Sequence, residues 1–390
     1  MAIALVPPCA RPIVDGVESV HRLVSIFRGQ GLALKQEVQE LMAATAPTVR
    51  CSRPSSRLRV MTLNMQYFSS YPEDEAAAAE KLREATGVVD ARSAADVVAV
   101  QEGISTKDAL GSVGYDLVVC SGAAGMAQSV GEMVYRDEGT LRMCPEHLRD
   151  KLLCNQIYIR RGCGWRVEDR GVEQISSDLF LKGGEGRCQG KLAVRTMVWA
   201  KLRRPGCEGA VYLMCTHISG GRFEDQYFAQ QLSQERGSQP LRCAEFFERQ
   251  APRARDVGIL VGDFNALAEY DEEGPMHGYF KCGIAGAAGV QADAQVAGLD
   301  TPQRLEGAFK DYMVSPFRAM EAKGWTFAYG KEVGITSSFG HLIDHMATSR
   351  KLEVESAEVK YLTNQKMGNK DRDTDLVITD HNAVLVSFVI

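Results

Sequence analysis

Five short apolar runs, each joined to a polar group, set the rhythm of this chain. They read Val60-Met61-Thr62-Leu63-Asn64, Val97-Val98-Ala99-Val100-Gln101-Glu102, Val211-Tyr212-Leu213-Met214-Cys215-Thr216-His217 and Ile259-Leu260-Val261-Gly262-Asp263-Phe264-Asn265. The series closes with Thr379-Asp380-His381-Asn382 ahead of the run Ala383–Phe388. A run of about four to six apolar or β-branched residues predicts a strand buried on both faces. Four of the runs end in Asn, Glu, His or Asp-x-Asn, and in the last the polar group comes first. Such groups are costly to bury without partners. Their repeated placement at strand ends predicts one polar site at a sheet edge.

The rest of the pattern alternates strands with helices. Tyr115–Cys120 reads as a short strand, and Gln156–Arg160 with Trp165–Glu168 as neighbouring antiparallel strands. Leu192–Leu202 and Ala210–Cys215 predict a strand pair. Residues 73–95, rich in Ala, Glu, Lys and Leu, predict the helix joining the first two strands, and residues 145–153 a local helix. Gln226–Gln250 has amphipathic spacing, with Phe228, Leu232, Leu241, Phe246 and Phe247 as candidate core residues. The Ala/Gly-rich stretch 283–298 predicts a surface loop. Helical spacing over 14–42, followed by Pro47 and Cys51–Arg57, reads as an appendage and linker. The expected division is a helical extension over residues 1–57 and one α/β domain over 58–390.

Composition narrows the class only a little. At 390 residues, 45% apolar and 24% charged, the chain is ordinary for a globular protein. A net charge of −5 gives no global basic field for nucleic acid, although a metal-bearing enzyme needs only a local basic rim. Eleven scattered cysteines, an odd number without CxxC pairs, favour a reducing compartment. No stretch approaches the roughly 18 apolar residues of a membrane span. The opening residues lack the basic start of a signal peptide. An intracellular, cytoplasmic or nuclear protein is therefore expected, with an organelle address left open, acting as a monomer without an obligate protein partner.

The polar ends carry the chemistry. Carboxylates and amides gathered at one edge suit a hard divalent cation, Mg2+ or Mn2+, and Cys/His spacing for zinc is absent. Imidazoles among them can donate to a phosphate oxygen or protonate it near neutral pH. Metal, imidazole and carboxylate together form a toolkit for hydrolysing a phosphate ester. Structural alternatives exist for each residue. Glu102 could cap a following helix, Asp263 and Asn265 could form an Asx turn, and His217 could be a core histidine. Asp344 and His345 are adjacent, so strand register decides which faces the site.

Leu63-Asn64, Gln101-Glu102, Thr216-His217, Gly262-Asp263-Phe264-Asn265, Ile343-Asp344-His345 and Asp380-His381 resemble, in order, the motif series of the endonuclease/exonuclease/phosphatase superfamily. The resemblance covers residues 58–390 and implies a four-layer α/β/β/α sandwich of two mixed sheets with flanking helices. It implies Glu102 as the main metal ligand, assisted by Asn64 and Asp380. Asp263 would orient or deprotonate the attacking water, and Asn265 would hold a phosphate oxygen. His381, fixed by Asp344, would stabilise the scissile phosphate, and His217 would donate to the phosphate or protonate the leaving oxygen. Where pancreatic deoxyribonucleases carry a supporting glutamate, this chain has Asn155 and Gln156, and the histidine at 217 replaces the tyrosine of abasic-site enzymes.

The loops bear on the substrate. Arg222 follows the His217 strand and could bind a phosphate, and Lys182, Arg187 and Lys191 could form a basic lip. Trp325, Phe327 and Tyr329, at period two, read as a buried strand face that could otherwise stack on a base or meet a lipid. The leading expectation is a DNA or RNA nuclease. A phospholipid or inositol-phosphate phosphoesterase is the alternative, and an inactive binding module the third.

Overall fold

The computed structural model describes residues 56–65, 83, 86, 94–103, 110–121, 155–177, 180–182, 189–191, 195–220, 229–251, 253–281, 285, 298–337, 340–360, 362, 379 and 381–390. The predicted helices at 14–42 and 145–153, most of 73–95 and most of the 283–298 loop lie outside them. Residues Ser56–Ile390 form one unit.

The apolar runs build two mixed sheets of six strands each. Sheet A contains β1 (Arg57–Asn64), β2 (Val97–Gln101), β3 (Tyr115–Cys120), β4 (Gln156–Arg160), β13 (Glu353–Lys360) and β14 (Ala383–Val389), in the order β13-β14-β1-β2-β4-β3. Sheet B contains β5 (Arg166–Gln174), β8 (Thr196–Arg203), β9 (Val211–His217), β10 (Val257–Asp263), β11 (Thr326–Phe327) and β12 (Asp344–Thr348), in the order β11-β12-β10-β9-β8-β5. β6 (Phe180–Lys182) and β7 (Gln189–Lys191) form a separate two-stranded ribbon.

The sheets pack face to face, as the period-two alternation of β-strands requires. Leu58, Val60, Val97, Ala99, Val384, Val386 and Phe388 of sheet A meet Val211, Leu213, Cys215, Val257, Ile259, Val261 and Met346 of sheet B. Each Val, Leu, Ile, Met or Phe side chain among them, fully withdrawn from water, contributes on the order of 1.5–3 kcal/mol before entropy is counted. The outer face of sheet B is covered by α1 (Ala229–Gln250) and α3 (Pro302–Ala322), with Phe246, Phe247, Cys243 and Met320 on Met197, Tyr212, Met214 and Leu260. The short helix α2 (Pro275–Tyr279) lies between α1 and α3 in the chain. On the outer face of sheet A, Leu110 and Val113 cover Met61, Leu63 and Val98. The result is the expected α/β/β/α sandwich.

One strand expectation needs correction. β4 and β5 are not antiparallel neighbours: β4 sits between β2 and β3 in sheet A, whereas β5 is the edge of sheet B, paired with β8. The connection between them crosses the sandwich because Cys163 and Trp165 are drawn into the inter-sheet core, where the Trp165 indole donates to the Arg57 carbonyl at 3.2 Å. The expected Leu192–Leu202 strand is described from Thr196 as β8, and residues 192–194 lie outside the described residues.

Candidate active site

Strand register assembles the site. In sheet B, Asp263 at the end of β10 is paired with His217 of β9 on one side and Asp344 of β12 on the other. In sheet A, Asn64 ends β1, with Glu102 just past β2 on one side and His381 just before β14 on the other. Three adjacent strands of one sheet therefore face three of the other, and the polar groups meet in pairs. Asn64 donates from Nδ2 to Asp263 Oδ2 at 2.9 Å, His381 Nδ1 lies 2.9 Å from Asp344 Oδ2, and His217 Nδ1 lies 3.5 Å from Glu102 Oε1. All six residues are buried.

Alternation alone brings most of them inward. Asp263 continues the inward series Val257, Ile259 and Val261, and His217 continues Val211, Leu213 and Cys215. Glu102 is different. Gln101 takes the inward position of β2, donating to Cys215 Sγ at 3.1 Å, so simple alternation would turn Glu102 away. The backbone at Glu102 adopts φ 53°, a left-handed conformation rare for a residue with a side chain, and brings it to His217. Gly262 is needed for close approach between strands: at φ 142°, a Cβ there would lie 1.8 Å from the Thr216 carbonyl oxygen.

Asp263 and Asn265 form the Asx turn, with the Asn265 amide donating to Asp263 Oδ1 at 2.7 Å and Asn265 at φ 48°. The turn and the site are one feature, because it aims the Asn265 side chain at His217. Asn265 Nδ2 has two acceptors, the Ile218 carbonyl at 3.1 Å and His217 Nε2 at 3.0 Å. An amide nitrogen can only donate, so His217 Nε2 accepts and the ring hydrogen sits on Nδ1, toward Glu102.

The electrostatics follow from burial. Asp263 is pushed up to about 7 by loss of solvent and then by the Asp344 carboxylate, against the opposing effects of His381, the Asn265 amide and Asn64. Burial, with the positive charges of Arg195 and His381 nearby, holds His217 well below the usual imidazole range. His381 Nε2 lies 4.0 Å from Asp263 Oδ2. Thr379 supports this side: its hydroxyl donates to the Asn64 carbonyl at 2.6 Å and accepts from the His381 amide at 3.1 Å.

His345 does not face the site. It is caged by Phe264, Phe317, Phe327 and Tyr329 and hydrogen-bonded through Nε2 to the Ala266 carbonyl at 2.9 Å, with burial holding it down to about 4. Trp325, Phe327 and Tyr329 belong to the interior: Trp325 lies edge-on to Phe247, Phe327 stacks on Phe317, and the Tyr329 hydroxyl donates to the Asp344 carbonyl at 2.9 Å. Asp380 and Arg222 lie outside the described residues, as do Phe228, Arg187 and the side chains of Lys182 and Lys191.

No family model matches the sequence, and no curated protein matches it. Among solved structures, the chain is similar to an endonuclease/exonuclease/phosphatase from Bacteroides vulgatus (13% identity, 85% of this chain and 98% of that one, TM-score 0.48). It is also similar to a mannosyl-6-phosphatase from Bacteroides thetaiotaomicron (12%, 85% and 100%, 0.46) and to D. rerio TDP2 complexed with single strand DNA product (13%, 85% and 99%, 0.45). In the chain itself, the motif-bearing strand ends of the two sheets meet between them. The chain is an α/β sandwich of two six-stranded mixed sheets.

Between these two sheets the donor set fits a hard divalent cation. Two carboxylates, Asp263 and Asp344, converge where water is largely excluded, with Glu102 on the far side of His217, and crowding by Asp344 helps to raise Asp263 to about 7. A divalent charge would relieve that crowding. Asp263, Asp344 and His381 offer ligand atoms within 4.8 Å of one another. This grouping differs from the expected Glu102, Asn64 and Asp380, and it overlaps the residues expected to act on water and phosphate.

The apolar stripe of α1 hides two further residues that contact the site's loops. Arg236 and Gln239 occupy core-facing positions between Leu232 and Cys243 and are fully buried. Polar residues at those positions of an amphipathic helix are the signal that could have found them. Arg195 is a third, detectable only through its charge beside His217.

Proposed function

We propose that this chain is a Mg2+- or Mn2+-dependent phosphodiesterase that hydrolyses phosphate esters, with DNA or RNA as substrate. The observation that carries the reading is the meeting of Asn64 with Asp263, Glu102 with His217 and His381 with Asp344 between the two sheets. Glu102, with Asn64 and Asp380, would hold the cation, which would polarise a phosphoryl oxygen when bound.

The chain's own groups supply the rest. Asp263, oriented by its hydrogen bonds with Asn64 and the Asn265 amide, is placed to accept a proton from an attacking water. The Asp344 carboxylate accepts from His381 Nδ1–H, leaving Nε2 toward the site to donate to the phosphate when the ring is protonated. Asn265 and His217 form a joined pair beside Asp263, and the Asn265 amide would become a neutral donor to a phosphate oxygen by giving up one of its two acceptors, Ile218 O or His217 Nε2. Arg195 adds positive charge next to His217, the charge a phosphate diester seeks.

A parallel screen tests the substrate class. Purified protein with Mg2+ or Mn2+ is offered single- and double-stranded DNA, RNA, sphingomyelin and an inositol polyphosphate. Cleavage of a polynucleotide, abolished by EDTA, supports the proposal. Turnover of only the lipid or inositol phosphate transfers the assignment to those esters. An inactive wild type on every substrate favours the binding module.

A further inference from the structure

Arg236 is a buried charge whose hydrogen bonds go to three carbonyls. Its guanidinium donates through Nη1 to Ser219 O at 2.6 Å, through Nη2 to Asn265 O at 2.7 Å and through Nε to Tyr312 O at 3.1 Å, and it lies 4.0 Å from the Tyr312 ring centroid. Among the described residues it has no ion pair with a carboxylate. A buried guanidinium without a counter-ion is costly, and a planar fork of five donors is what distinguishes it from lysine.

The carbonyls it joins are informative. Ser219 lies two residues beyond His217 and Asn265 two beyond Asp263, so Arg236 ties together the loops that leave β9 and β10. Gln239, one helical turn along, accepts from the Ser219 amide at 2.9 Å and donates to the Ser219 hydroxyl at 2.9 Å. Gly220, the next residue, lies directly against the Asn265 side chain, where a Cβ would come within 2.3 Å of Cγ. The spacing of the two loops thus sets the room left for the Asn265 amide, which in turn holds His217 Nε2.

We infer that Arg236, with Gln239, is a positioning residue: it fixes the distance between the His217 loop and the Asn265 loop, and through it the orientation of Asn265 on His217. The inference deepens the proposed phosphodiesterase reading, and its structural part is read without turnover. Arg236→Lys keeps the charge but cannot span both carbonyls. Gln239→Met keeps the side-chain volume and loses the Ser219 clamp.

The test records 15N–1H spectra of the histidine rings in metal-free full-length protein, alongside kcat and KM on bis(p-nitrophenyl) phosphate with Mn2+. Both variants are expected to shift the His217 ring signals, leave those of His277 and His341 in place, and lower kcat by about tenfold to a hundredfold with little change in KM. If Arg236→Lys does not fold, Gln239→Met carries the test. Unmoved His217 signals in the folded variants overturn the inference, as does wild-type kcat in an active protein. Shifted signals in a protein whose wild type hydrolyses nothing support the positioning role and sink the phosphodiesterase reading instead.

Discussion

Replacing Gly220 with alanine adds one methyl group at the point where the His217 loop touches Asn265. The new Cβ would lie 2.3 Å from Asn265 Cγ, 2.4 Å from Oδ1 and 2.6 Å from Nδ2. Ordinary carbon contacts are about 3.5–4.0 Å, so the amide must move by more than about 1 Å. The Asn265 backbone cannot yield easily, because its N–H is bound to Asp263 and its carbonyl to Arg236, both at 2.7 Å. The side chain must therefore rotate, giving up the Ile218 carbonyl and His217 Nε2. Two neutral hydrogen bonds correspond to about 1–3 kcal/mol of stability. Losing one aligned donor at the reacting centre corresponds to about a hundredfold in kcat. Urea unfolding and steady-state hydrolysis measure the two effects. A double-mutant cycle isolates the cause: with Asn265→Ala the clash is gone, so Gly220→Ala should add less than about threefold. Wild-type kcat in Gly220→Ala would refute the reasoning, as would a double variant showing the full product of both losses.

Other consequences are as specific. Asp344→Asn presents an amide to His381 Nδ1 in place of the carboxylate, and kcat should fall about a thousandfold while circular dichroism stays native; a loss under about fivefold would contradict the orienting role. Gly262→Ala forces a methyl onto the Thr216 carbonyl, and should cost at least about 3 kcal/mol by denaturant unfolding, with a loss under about 1 kcal/mol counting against the observed strand approach. His345 is held at about 4 when folded against about 6.5 when unfolded, so its neutral form stabilises the fold above pH 6.5, and that contribution is lost as pH falls toward 4. By pH 5 the loss is about 2 kcal/mol, and unfolding of His345→Gln should be less pH-dependent than wild type by that amount; equal dependence would show that His345 titrates normally.

Much of this site was legible because β-strands alternate strictly. An inward apolar series that ends on a polar residue must deliver that residue between the sheets, which holds for Asn64, His217 and Asp263. Register between β10 and β12 then resolves the choice at 344 and 345: Asp344 pairs with Asp263, and His345 turns to the aromatic cage. Glu102 breaks alternation, since its inward placement depends on a left-handed backbone that residue type does not announce. The crossing from β4 to β5 was illegible for another reason. Two adjacent strand patterns favour a local hairpin, and only the pull of Cys163 and Trp165 into a core built from distant strands overrides it. Arg236 and Gln239 were not singled out in the sequence, because the groups they bind, the Ser219 and Asn265 carbonyls and the Ser219 amide and hydroxyl, lie in loops outside their helix.

The most direct measurement of the central claim is hydrolysis of an end-labelled single-stranded oligonucleotide by the full-length chain, with Mg2+ titrated against EDTA, for wild type and Glu102→Gln. A carboxylate held in a left-handed turn beside His217, and needed for the cation, predicts wild-type cleavage that vanishes with EDTA. It predicts a fall of about a thousandfold or more in Glu102→Gln, partly recovered at high Mn2+. Cleavage that survives EDTA, or a Glu102→Gln variant as active as wild type at every Mg2+ concentration, would contradict the account.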